Sequence, residues 1–283
     1  MKKIGLGLSG GAVRGLAHIG VIRELEDANI PVSFIAGTSA GSLVGALVAA
    51  GYRYHDLYQI ARSLTWKDLG KLTFPSKGFL SGEALEEFVH RHIGNITIEE
   101  LPIPFAAIAT NLNTGATKAF TSGPLAPAIR ASCAIPGVYT PMEREGAVYV
   151  DGGVKSFDPV RHVRELGAEF TISVKLTPSP FPSRPPGNIV EVLLAAFDIN
   201  TSHIAGLEPE GDVTIEPDLS GTNPYDFDQI EDLVDRGRRA ASAMIRDIRD
   251  GAGISGPLAR LMHHLGQDSS GKPGSSPSLS SSE

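Results

Sequence analysis

Three short stretches hold residue types that can do nucleophilic chemistry. In GTSAG, residues 37–41, Ser39 stands between Gly37 and Gly41, where an apolar run gives way to the helix-forming LVGALVAA. A strand-turn-helix elbow of this kind lifts a serine hydroxyl clear of the backbone and sets it near the positive end of a helix dipole. Its glycines are needed because a Cβ there would collide with the neighbouring strand or helix. The G-x-S-x-G pattern is expected by chance about 0.3 times in a chain of this composition, so its context carries the reading and a structural turn stays open as the alternative.

The second stretch, GLGLSGGAVRG at 5–15, is an apolar strand running into Gly10, Gly11, Ala12, Arg14 and Gly15. A dinucleotide turn fits poorly: Gly5, Gly7 and Gly10 satisfy G-x-G-x-x-G, but the first two lie inside the strand, and no Walker lysine follows. A second reading directs the backbone N–H groups of the 10–12 turn at a carbonyl oxygen attacked by Ser39, as an oxyanion hole. A plain tight turn is the third. In the last stretch, YVDGGV at 149–154, Asp151 ends a short strand before Gly152 and Gly153. It is either a turn residue capping nearby amides or a base.

The elements that must position these residues follow from hydrophobic period. Apolar runs predict strands at 3–8, 32–36, 105–110, 117–121, 148–151, 170–176 and 213–216. Helical periods fall at 15–28, 40–50, 85–93, 159–166, 189–200 and 227–250. Alternating strands and helices predict an α/β fold with a largely parallel sheet. The stretch 177–187, with five prolines, reads as a surface loop, and the serine-rich end at 266–283 as a disordered tail after one domain at 1–265.

Taken together, the blocks LSGGAVRGLAHIGV (8–21), GTSAGS (37–42), IRASCAIPGVYTP (129–141) and DGGVKSFDPV (151–160) resemble the patatin-like phospholipase family, especially bacterial members related to the catalytic domain of neuropathy target esterase. The resemblance covers about residues 3–265, and RELGAEFTISVKL at 164–176 extends it. It implies a three-layer α/β/α sandwich with a mostly parallel central sheet. It also implies a serine acyl hydrolase of phospholipids, lysophospholipids or other fatty acyl esters. In it Ser39 attacks, Asp151 takes the proton, the amides of Gly10, Gly11 and Ala12 hold the oxyanion, and Arg14 supports that loop. Gly15, Gly37, Gly41, Gly152 and Gly153 complete the motifs. Two positions depart from the family pattern: Ala12 stands where many relatives have a third glycine, and Ser156 where they often have asparagine.

Other chemistry is weighed against this. An α/β-hydrolase triad would need a late histidine, His203, His263 or His264, but too few strands precede Ser39 for that fold. A dyad predicts activity lost only at acidic pH, whereas a triad predicts loss near a histidine pKa of ~6.5. His18 reads as a packed or supporting residue, and His90 and His92, at i, i+2, face apart. No metal-ligand spacing is present and no cofactor is expected. Cys133, the only cysteine, reads as a buried, inert thiol and excludes an intrachain disulfide, in keeping with a cytoplasmic protein. With 25 Lys plus Arg against 32 Asp plus Glu, the formal charge of -7 argues against nucleic acid. No secretion signal is read at the start, and membrane contact is expected at the surface only. Loops at 72–82 and 177–187 are candidates to border an acyl site. A non-catalytic lipid-binding or regulatory protein on the same fold is the non-enzymatic alternative.

Overall fold

The computed structural model describes residues 1–74, 77–177 and 185–254. The tail at 266–283, His263, His264 and most of 177–187 lie outside the described residues. In chain order the strands are β1 (Ile4–Leu8), β2 (Phe34–Thr38), β3 (Lys71–Leu72), β4 (Gly78–Ser81), β5 (Phe105–Asn111), β6 (Thr117–Phe120), β7 (Gly137–Tyr139), β8 (Met142–Arg144), β9 (Ala147–Asp151), β10 (Phe170–Val174) and β11 (Val213–Ile215). The helices are α1 (Ala17–Asp27), α2 (Ala40–Ala49), α3 (Tyr54–Ser63), α4 (Trp66–Leu69), α5 (Glu83–His92), α6 (Leu125–Ser132), α7 (Val160–Glu165), α8 (Ile189–Ala205) and α9 (Ile230–Gly251).

The main sheet runs β11-β10-β1-β2-β5-β9-β8, with β6 also on β5, while β3, β4 and β7 form a small second sheet. The five strands from β11 to β5 are parallel, and β6, β8 and β9 join antiparallel. Period-2 alternation assigns the two faces. Ile4, Leu6 and Leu8 of β1 enter one large core with Phe170, Ile172 and Val174 of β10, beneath α1, α2, α6 and α9. Gly5 and Gly7 face the other way, where Cβ atoms would meet Val163 at 2.0 Å and the Val160 backbone at 3.3 Å. That lets the short α7 lie close on the sheet with Ala36, Ala106 and Ile108. Helices therefore cover both faces, giving the α/β sandwich.

Register brings the chemistry-bearing residues to one level. Strand β5 lies between β2 and β9: Thr38 pairs with Ile108, and Asp151 with Ala109. Ser39, next after Thr38, and Asp151 thus flank β5 at the same height, about 10 Å apart along the sheet, which is two strand spacings. Their side chains converge over it.

Candidate active site

Ser39 sits between the end of β2 and the start of α2 with φ 53 and ψ -126, a backbone conformation that non-glycine residues rarely adopt. The elbow is possible because nothing larger than glycine fits beside it. A Cβ on Gly37 would stand 2.3 Å from the Gly41 carbonyl oxygen, and one on Gly41 2.1 Å from that of Leu8. Ser132, the last residue of α6, accepts the Ser39 N–H at 2.9 Å and donates to the Ile108 carbonyl at 2.6 Å, holding the bend from below. The Ser39 residue is 7% exposed.

Asp151 is fully buried. Its Oδ1 accepts the Gly153 N–H at 2.8 Å, while Oδ2 has no hydrogen-bond partner. Burial pushes the carboxyl up to about 7, and the neighbouring Ser39 hydroxyl and the Gly153 N–H pull against that rise. The hydroxyl is therefore close enough to interact, without a formed bond to Oδ2. A Cβ on Gly152 would reach within 2.4 Å of the Ile108 carbonyl oxygen, so the acid loop lies directly on β5.

The glycine-rich turn passes against the serine: a Cβ on Gly10 would stand 3.4 Å from Ser39 Cβ, and one on Gly15 2.5 Å from Ala40 Cβ. Among the described residues the Gly11 and Ala12 N–H groups have no acceptor, but Gly10 donates to the Phe157 carbonyl at 3.3 Å. The expected trio of free amides thus reduces to two. Ala12 takes φ 51, the strained option for a position where a glycine would be at ease. His18 supports this turn: its Nε2 donates to the Ser9 carbonyl at 2.9 Å, while Nδ1 is buried and unpartnered. Burial holds the His18 pKa down to about 4, so the ring is a neutral brace. Arg14, 8% exposed, donates to Thr222 Oγ1 and carbonyl oxygen at 3.2 and 3.3 Å. Burial lowers its pKa, and Asp198 on α8 acts against that.

Two cavities meet at Ser39. A small one, apolar over much of its wall, holds the charged and polar groups of Arg14, Asp151, Asp198 and Tyr225. Burial raises Asp198 to about 6, against the pull of Arg14. A larger one of about 280 Å³ is almost wholly apolar, lined among others by Leu16, Leu43, Trp66, Leu85, Val138, Leu194 and Phe227. Cys133 lines it too, its residue partly exposed to the cavity; desolvation and the Asp151 charge push its thiol pKa up, which keeps it a poor nucleophile. Among the described residues none from 72–82 borders either cavity and no histidine lines them, and His203 is exposed on α8. Among the described residues no group of three or more His, Cys, Asp or Glu side chains could hold a metal ion.

The family description "Patatin-like phospholipase" matches residues 6–164, which include Ser39, Asp151 and the glycine-rich turn. The chain belongs to the patatin-like phospholipase family. Among its relatives, an uncharacterized NTE family protein of Mycobacterium tuberculosis is 41% identical over 180 residues, 62% of this chain and 50% of the relative. A lysophospholipase NTE1 of Pyricularia oryzae is 32% identical over 179 residues, 61% of this chain and 12% of the relative. The chain therefore spans half the length, or less, of these curated relatives. The crystal structure of VipD from Legionella pneumophila shares the fold, with a TM-score of 0.58 at 13% identity over 87% of this chain and 67% of that one.

Within this patatin-like frame, three supporting residues escaped the sequence reading. Ser132 sat inside the block IRASCAIPGVYTP, where only its neighbour Cys133 drew notice. Asp198 lay on a helix read only for its apolar period. Glu208 had no local signal: it accepts from Ser156 Oγ at 2.8 Å and from the N–H groups of Phe157 and Asp158 at 3.2 and 2.7 Å. The Ser156 departure is resolved by these bonds, because a hydroxyl suffices to reach the Glu208 carboxylate. Thr38 Oγ1 adds a bond to the Ser156 carbonyl at 3.2 Å.

Proposed function

We propose that this protein is a serine acyl hydrolase that cleaves fatty acyl esters of phospholipids or lysophospholipids through Ser39 and Asp151. The observation that carries the reading is the position of Ser39, on a strained elbow beside a buried carboxylate, at the mouth of an apolar cavity. In this mechanism the acyl chain lies in the apolar cavity and Ser39 Oγ attacks the ester carbonyl while its proton passes to Asp151. A pKa near 7 makes that carboxylate a far better base than an ordinary aspartate. The Gly11 and Ala12 amides stabilise the oxyanion. Collapse of the intermediate breaks the ester C–O bond, and the alcohol leaves with the proton from Asp151. Water then gives a proton to Asp151 and attacks the acyl-enzyme; the fatty acid departs and Ser39 Oγ regains its proton.

Membership in the family and a relative named as a lysophospholipase support this substrate class. The test is hydrolysis of a p-nitrophenyl ester, followed by mass spectrometry of products from a defined lipid panel. Ser39→Ala and Asp151→Asn should each lower kcat by about 1000-fold or more with the fold intact. Equal turnover by all three proteins rules the dyad out, and no turnover by any of them leaves the lipid-binding alternative.

A further inference from the structure

Helix α8 bares large apolar side chains to solvent over its first three turns, while Asn200 and His203 are exposed nearer its end. Its inner face supplies Val190 and Leu194 to the apolar cavity, and Phe197, Asp198 and Thr201 to the smaller pocket. Its outer face carries Ile189, Val192, Leu193 and Ile199, with Ile189 67% exposed, Val192 53% and Ile199 51%. The spacing i, i+3, i+4, i+10 draws these into one stripe along the helix. No Asp, Glu, Lys or Arg stands in the sequence between Glu191 and Asp198, and Asp198 turns inward toward Arg14. A contiguous bare apolar stripe of this kind marks an interaction surface.

We propose that the outer face of α8 docks this protein on a neutral, zwitterionic lipid surface, lying in the plane of the interface. The inference rests on the lipid-ester reading above, and three observations select the occupant. The same helix walls the cavity that ends at Ser39, so a folded protein seated on it would obstruct the approach, whereas a bilayer supplies the acyl chain that the cavity takes. The stripe has no basic residue to attract anionic headgroups, and the formal charge of -7 opposes them. No helix among the described residues is long and apolar enough to cross a membrane, so α8 lies on the surface. Leu193 also meets the small sheet, where a Cβ on Gly137 would stand 2.6 Å from its Cδ1. The far edge of that sheet exposes Leu72, with Phe74 bare just beyond it.

The experiment is vesicle flotation of the full chain as Ser39→Ala, so that lipid is not consumed, with phosphatidylcholine vesicles. The comparison adds Ile189→Glu, Val192→Glu and Ile199→Glu together. The expected result is binding that survives added salt and falls about tenfold or more in the triple variant. With Ser39 restored, the triple variant keeps its thermal midpoint and its turnover of a soluble short-chain ester; if it does not fold, Val192→Glu alone carries the comparison. Absence of vesicle binding, equal binding by the variant, or binding that needs anionic lipid and dissolves with salt would each overturn the proposal. So would a stable dimer that these substitutions break without any vesicle binding. Should no form turn over any ester, the hydrolase reading fails while flotation still decides the docking.

Discussion

At the scale of single residues, the environment of Asp151 changes what a pH profile can tell. A carboxylate of ordinary pKa would lose activity only in acid, but burial places this one at about 7. The proton-accepting form is then lost as pH falls through about 7, and kcat/KM should drop about tenfold per unit below it. That descent lies where a histidine would titrate, so it no longer separates dyad from triad; Asp151→Asn and histidine substitutions must do so. Stability runs the opposite way. The folded carboxyl binds its proton more tightly than the unfolded one, whose value is 3.8, so wild type loses stability as pH rises from 3.8 to about 7. Asp151→Asn should therefore be more stable than wild type at pH 8, by up to about 4 kcal/mol, with the gain gone below pH ~4. Calorimetry of both proteins across that range is the check. Ser39 and Ala12, both at positive φ, add backbone strain of about 1–3 kcal/mol each at the same spot. Backbone strain and a costly buried carboxyl thus collect where the chemistry is proposed.

At the scale of elements, the acid loop after β9 is held by a carboxylate from a distant segment. Glu208 accepts three hydrogen bonds from residues 156–158, and its pKa, raised to about 7 by burial, is drawn down by the Asp158 N–H and the Ser156 hydroxyl. Asp158 and Lys175 are the charged groups facing it. Glu208→Ala should lower kcat about tenfold or more with little change in KM, and hydrogen exchange at 152–158 should quicken. Glu208→Gln keeps an acceptor for the two amides and should restore most of the rate. None of this bracing is legible locally, because its partners are about 50 residues apart in sequence. The seven strands predicted from apolar runs are all present within a few residues; β1, β5 and β10, buried nearly throughout, show as uncharged, largely apolar runs. Strands β3, β4, β7 and β8 lie outside the predicted runs, being two to four residues long and too short to show a period. Helix α6 also lies outside the predicted helices; its Pro127 falls in the first turn, where an absent N–H costs nothing. The predicted helix at 15–28 opens instead with a 3-10 turn over Ala12–Leu16, which presents the amides of the glycine turn.

At the scale of the whole molecule, the large cavity is assembled from distant parts of the chain: the glycine turn, α2, α4, α5, β7, α8 and the segment around Phe227. Its walls are almost wholly apolar, so they take up methylenes rather than headgroups. In a series of p-nitrophenyl esters, kcat/KM should climb by up to about fourfold per methylene while the added carbons enter the cavity, and then level off. A flat profile from two carbons upward would show that the cavity is not the acyl site. Helices α1 and α9 close this side of the molecule at a contact between small residues, where a Cβ on Gly20 would stand 1.9 Å from the Val234 carbonyl oxygen. The seam at Ser39 also imposes an order on events. Under the proposed acyl-enzyme mechanism the tail stays in the apolar cavity after the alcohol has gone, so the two halves of the lipid part in sequence. The retained fatty acid then competes with the next lipid for the same space, and added free fatty acid should inhibit turnover competitively.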